Sequence, residues 1–141
     1  MNNDKNDSNT TIADVKATIA AYREERGWDK VPPRDLAISI VLEAAELLEH
    51  FQWGDDLDIE AKRAEIMDEF GDTLSYLIQL AMTLDFDVTT AWREKLEKVK
   101  AKYPTSIFNP DKTHDVDAYL KIKKAYRNGK TPSNNSDKTV E

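Results

Sequence analysis

The sequence predicts an all-α protein: a helical bundle of four main helices followed by a short C-terminal helix. Apolar residues recur at helical period in successive stretches, and no stretch shows strand alternation. The prolines and three of the four glycines fall between these stretches, and Gly71 alone lies within one. Thr10 or Thr11 is placed to cap a first helix, with Asp14 favourable in its first turn. Ile12, Val15, Ile19 and Tyr22 give that helix one apolar face, and Gly27 ends it after about Glu25. Residues 28–33 form a connector, because Pro32 and Pro33 disfavour a helix interior. A second helix runs from about Arg34 to Trp53 and stops at Gly54. After a turn rich in capping acids, a third runs from about Ile59 to Leu84.

Residues 85–87 break the third helix, with Asp87 placed to cap the next. The fourth helix covers about Val88 to Lys102, with Trp92, Leu96 and Val99 inward, and Tyr103-Pro104 closes it. Residues 105–114 read as a loop. Residues 115–128 read as a short helix with Val116, Tyr119, Leu120 and Ile122 on its sticky side. The polar ends, 1–9 and 131–141, are expected to be disordered. The expected organisation is therefore a helical domain over 10–104. A segment over 105–130 packs on it or exchanges with it.

A chain of 141 residues accommodates one domain with a core. It has no cysteine, so disulfides and thiolate metal sites are excluded. Two histidines, His50 and His114, are too few for a histidine-rich zinc or iron site. A formal charge of −7 argues against a nucleic-acid-binding surface. No apolar run reaches membrane-spanning length, and the polar N-terminus lacks a signal-peptide core. A soluble cytoplasmic protein is expected.

Leu36–Leu48 in the second helix and Glu69–Ile78 in the third are apolar almost all round, which marks both helices as central to the bundle. Each nevertheless carries two acids three residues apart: Glu43 and Glu46 on one, Glu69 and Asp72 on the other. That spacing puts both acids of a pair on one helix face. The pairs lie at similar distances from the intervening turn, so an antiparallel hairpin brings them to a common level. Unpaired buried carboxylates are costly and repel one another, and a hard divalent cation relieves both penalties. The competing reading places the acids on solvated faces; Glu46 and Glu49 share the same spacing and carry no special meaning by it. Against that reading, the second helix has no lysine, and its only arginine, Arg34, stands at its start. A di-iron bundle is disfavoured because neither histidine follows a glutamate by three residues.

Glu43-Ala44-Ala45-Glu46-Leu47-Leu48-Glu49-His50-Phe51-Gln52-Trp53, followed by Asp68-Glu69-Phe70-Gly71-Asp72-Thr73-Leu74-Ser75-Tyr76-Leu77, resembles the MazG-like all-α nucleoside triphosphate pyrophosphohydrolases. The dCTP-pyrophosphatase-like branch is the nearest, and the resemblance covers roughly Trp28 to Pro104. It implies Mg²⁺-dependent hydrolysis of a (deoxy)nucleoside triphosphate to the monophosphate and pyrophosphate, with Mn²⁺ as a substitute ion. It implies a homodimer or homotetramer. Glu43, Glu46, Glu69 and Asp72 match the metal-holding and catalytic acids. Trp28 and Trp53 match aromatics around the base, and Tyr76 and Lys95 match polar groups near the phosphates. Arg34, by its place at a helix N-terminus, is a further phosphate contact, and Glu49 a supporting acid one turn beyond Glu46. One departure stands out. Family members often have asparagine or a similar polar residue where this chain has Val99, so sugar or phosphate contacts from that helix are not carried over.

The expected function is therefore hydrolysis of a nucleoside triphosphate in nucleotide pool sanitation or homeostasis. The alternative is a non-enzymatic acidic helical module whose carboxylates hold a cation or partner for assembly.

Overall fold

The structure, a computed structural model, describes residues 5–52, 58–108 and 116–129. Among these residues there are five α-helices and no strand: α1 (Ile12–Glu25), α2 (Pro33–Gln52), α3 (Ile59–Thr83), α4 (Val88–Lys102) and α5 (Val116–Arg127). The all-α class is as expected, and every helix begins and ends close to its predicted bounds. Pro33 differs from expectation by opening α2 rather than closing the connector. A proline is tolerated there because the first helical N–H has no intrahelical partner to lose. Ahead of α1, Asn6 accepts the Ser8 N–H and its carbonyl accepts from Asn9, forming a local turn.

Cap chemistry explains the ends. Thr11 accepts the Asp14 N–H through its hydroxyl while Asp14 accepts the Thr11 N–H, a reciprocal box that starts α1. These bonds hold the Asp14 carboxyl below its ordinary range. At the other end, Gly27 has φ +68°, Trp28 N–H donates to the Arg23 carbonyl at 2.8 Å, and Gly27 N–H donates to Glu24. This is a Schellman stop. Helix α3 stops the same way, but with Asp85 in the left-handed position at φ +52° and Phe86 N–H on the Ala81 carbonyl.

By internal packing the chain divides into two compact units, Met1–Thr89 and Thr90–Glu141. In the first, α2 packs along α3, and α1 packs on α3. Leu36, Ile78 and Ala81 are almost completely buried there. The sequence predicted central helices covered on all sides, and the structure corrects this. Ile38, Val41, Leu42 and Leu48 of α2 are exposed, as are Met67, Phe70, Leu74 and Leu77 of α3. Within a three-helix unit each helix has too few neighbours to cover a fully apolar circumference.

In the second unit, Tyr103 at the end of α4 stacks on Tyr119 of α5 at 5.3 Å and meets Phe108 edge-on at 5.5 Å. The Lys102 ammonium lies over the Tyr103 and Tyr126 rings. Ile122 is buried. Trp92, expected on the inner face of α4, is exposed. No helix among the described residues is long and apolar enough to cross a membrane.

The two left-handed caps make opposite predictions. A Cβ at Gly27 would meet no atom within 4 Å, so Gly27→Ala tests backbone strain alone. It should lower unfolding stability by about 1–2 kcal/mol. Asp85→Gly should raise stability, since glycine enters this region without a Cβ penalty. Urea denaturation of both variants, read at constant m-value, checks the pair.

Candidate active site

The acids on α2 and α3 meet. Glu43, Glu69 and Asp72 each offer a carboxylate oxygen, and these oxygens lie within 4.8 Å of one another. The antiparallel packing of α2 on α3 accounts for this meeting, with Glu43 and Glu69 half-buried and Asp72 exposed. Glu46, one turn further along α2, is exposed and stands outside that close trio, yet its charge acts on Glu43. Burial pushes the Glu43 carboxyl above its ordinary range, and repulsion from Glu46, Asp72 and Glu69 pushes it in the same direction. A cluster of hard oxygen donors with excess negative charge suits a divalent cation. These residues can hold a metal ion.

Asp72 also borders a cavity of about 560 Å³. Helix α1 contributes Thr18, Ile19 and Tyr22 to its wall, and the connector contributes Trp28 and Val31. Helix α3 places Asp72, Tyr76 and Gln79 along one face, at spacings of four and three residues, so polar groups line the wall from the acid end inward. Trp28 meets Tyr22 edge-on, with ring centroids 5.9 Å apart. The Ser75 hydroxyl is committed to the Gly71 carbonyl at 2.7 Å. The cavity thus joins an aromatic wall to a carboxylate cluster, with Asp72 belonging to both.

Of the residues singled out from sequence, Glu43, Glu69 and Asp72 come together, and Trp28 and Tyr76 share the adjoining cavity. Arg34 is exposed in the first turn of α2 and does not line that cavity. Glu49 is exposed on α2. Lys95 is exposed on α4, and Val99 lies on the same helix; both belong to the second unit. Trp53 lies outside the described residues. His50, read as structural, faces Glu65 of α3 at 3.7 Å.

Sequence reasoning missed the contribution of α1 to the cavity, because Thr18 has no chemical signature and Ile19 and Tyr22 looked like ordinary core. Gln79 was detectable: it follows Asp72 by seven residues, two turns along the same face.

The MazG-like family profile matches residues 38–118, and the chain belongs to that family. The match begins on α2 and includes all four acids. The chain is 31% identical over 104 residues to dCTP pyrophosphatase 1 of Rattus norvegicus and to that of Homo sapiens, covering 69% of this chain and 61% of each relative. It therefore spans about three fifths of the length of these curated relatives. A crystal structure of a pyrophosphatase from Archaeoglobus fulgidus superposes with a TM-score of 0.62 at 35% identity, covering 66% of this chain and 92% of that one. The all-α architecture is thus that of a known pyrophosphatase structure.

The electrostatics of the trio predict an unusual stability profile. A carboxyl whose folded-state pKa is raised keeps its proton in the folded protein at pH values where the unfolded chain has lost it. Its contribution to stability is present below the ordinary value of 4.5 and is lost as pH rises through the raised value. Metal-free Glu43→Gln should therefore melt at a higher temperature than the metal-free parent at neutral pH. That advantage should shrink as pH falls toward 4.5. Thermal melts in chelator across this range check it.

Proposed function

We propose that this chain hydrolyses a (deoxy)nucleoside triphosphate to the monophosphate and pyrophosphate, with Mg²⁺ as its metal, in nucleotide pool sanitation or homeostasis. The observation that carries the proposal is the sharing of Asp72 between the carboxylate trio and the Trp28–Tyr76 cavity. The base and sugar occupy the cavity, against Trp28, and the triphosphate extends to the acids. Membership of the MazG-like family and the dCTP pyrophosphatase 1 relatives support this reading, and dCTP heads the list of substrates to try.

Glu43, Glu69 and Asp72 are the residues that would hold Mg²⁺, with Glu46 completing the anionic field. When bound there, the metal supplies charge stabilisation to phosphate oxygens and lowers the pKa of a coordinated water. The carboxylates do the rest. They would fix where that ion sits, and so the register of the phosphate chain, and an acid left free of metal accepts the attacking water's proton. Tyr76, one turn beyond Asp72, orients a phosphate or sugar oxygen through its hydroxyl. Trp28 packs on the base and holds the nucleotide at the mouth of the acid cluster. Trp53 and Lys95 join the substrate contacts on the strength of the family resemblance alone.

The experiment is a panel of NTPs and dNTPs with Mg²⁺, scored for pyrophosphate against orthophosphate. Pyrophosphate and a nucleoside monophosphate in equal amounts are expected, and EDTA should stop the reaction reversibly. Asp72→Asn and Glu46→Gln should each lower kcat by at least about a hundredfold while leaving the helical circular-dichroism spectrum intact. Orthophosphate as the product overturns cleavage between the α and β phosphates, and no turnover with any nucleotide favours the acidic assembly module instead.

The same reading includes self-association as a dimer or tetramer. Met67, Phe70, Leu74 and Leu77 recur along α3 at spacings of three and four, and Ile38, Val41, Leu42 and Leu48 follow a similar stripe on α2; all are exposed. Contiguous apolar faces of this kind are characteristic of protein contacts, and a second copy of the chain offers matching stripes. Sedimentation at micromolar concentration should show a dimer or tetramer. Leu74→Glu should shift it toward monomer, whereas Lys62→Glu, at an exposed charged position, should not.

A further inference from the structure

Among the described residues, one cation is buried without a counter-ion. Arg23, in the last turn of α1, is only 4% exposed, and it forms no ion pair among the described residues. Taking a guanidinium out of water without a carboxylate is costly, so its donors must be satisfied otherwise. They are directed at the connector. Nε donates to the Trp28 carbonyl at 3.0 Å and Nη2 to the Asp29 carbonyl at 3.4 Å. The same residue's own carbonyl accepts the Trp28 N–H at 2.8 Å. Both backbone polar groups of Trp28 are therefore bound by Arg23, one through its side chain and one through its main chain.

We propose that Arg23 is a positioning residue for substrate recognition: it fixes Trp28 as the aromatic wall of the cavity beside Asp72. This rests on the nucleotide reading of that cavity. Three features support the assignment. Gly27, left-handed at φ +68°, ends α1 immediately before Trp28, so the helix itself does not set the indole's direction. The Tyr22 ring touches Trp28 edge-on and is itself exposed, as Trp28 is, so packing alone holds the indole loosely. A guanidinium, unlike an ammonium, presents a planar fork that reaches two successive carbonyls at once. Placing that fork where water is excluded strengthens each bond. Arg23 thereby fixes the backbone that carries the Trp28 indole before substrate arrives, and an aromatic on a pre-ordered connector loses less freedom on binding than one on a mobile connector.

The test combines a kinetic cycle with a measurement independent of turnover. Arg23→Met removes the fork, and Arg23→Gln keeps one short donor as a milder variant should the first unfold. For the best substrate of the panel, Arg23→Met should raise KM by about fivefold to tenfold with kcat nearly unchanged, because base contact is equal in ground and transition states. In a Trp28→Ala background, itself raised in KM, Arg23→Met should add little further, since the two residues act as one unit. A merely structural arginine predicts additive losses and a lowered kcat. Separately, in a chain retaining Trp28 as its sole tryptophan through Trp53→Phe and Trp92→Phe, Arg23→Met should lower fluorescence anisotropy and increase acrylamide quenching. Additive effects on KM, or unchanged quenching in a folded variant, overturn the proposal. If the parent hydrolyses no nucleotide, the nucleotide reading fails, while quenching still decides whether Arg23 holds Trp28.

Discussion

Repulsion between like charges on two adjacent helices is the constraint on which the rest of this structure depends. Helices α2 and α3 form the main packing of the first unit, and that packing brings Glu43, Glu69 and Asp72 within 4.8 Å of one another. Hydrophobic contact around Leu36, Ile78 and Ala81 holds the helices together while their acids push apart. Glu43 is half-buried and faces three other carboxylates, and burial together with their repulsion pushes its carboxyl above the ordinary range. Helix α2 has no lysine to neutralise such a cluster, and the cluster could instead hold a metal ion. His50 and Glu65 face each other across the two helices further along and offer the cluster no cation within its own shell.

The cavity next to the cluster divides two kinds of work. Asp72 belongs also to the carboxylates, while Trp28 and Tyr22 supply an aromatic wall. A ligand with a flat apolar part and a polyanionic tail matches both, provided that a cation mediates at the acids. A nucleoside triphosphate has that shape and charge, which is how the physical description and the MazG-like membership converge. The connector that carries Trp28 is short and irregular, and its geometry depends on hydrogen bonds from Arg23 rather than on a helix. Recognition would thus rest on a loop held by a buried cation, while the acids sit on regular helices. This division suits chemistry that needs fixed ligands and a wall that can vary among relatives.

The small buried core of the first unit has a consequence for stability. Only a few side chains there are fully covered, and long apolar residues of α2 and α3 remain open to solvent. The capped ends of α1 and α3 and the Arg23 bonds to the connector therefore carry more of the local order than they would in a larger bundle. In the second unit the stacked Tyr103 and Tyr119 and the Lys102 ammonium over the rings play the comparable part.

The sequence by itself determined the helices and the acids. Periodicity marked all five helices. The terminators followed from residues with local rules: Gly27 accepts a left-handed backbone, and Thr10 or Thr11 could cap α1, with the structure choosing Thr11 in a reciprocal cap with Asp14. The i, i+3 spacing of Glu43 with Glu46 and of Glu69 with Asp72 placed each pair on one face, because helix geometry is fixed at 3.6 residues per turn. Tertiary structure alone decided which acids approach most closely, leaving Glu46 outside the trio, since that depends on the rotation of α2 against α3. It alone brought Thr18, Ile19 and Tyr22 to the cavity and left Arg34 away from it. It also decided that Arg23, one charged residue among several in Tyr22-Arg23-Glu24-Glu25-Arg26, is the one buried. Contacts between residues distant in sequence, and the fate of one charge within a charged run, depend on how helices pack, and no local periodicity encodes that.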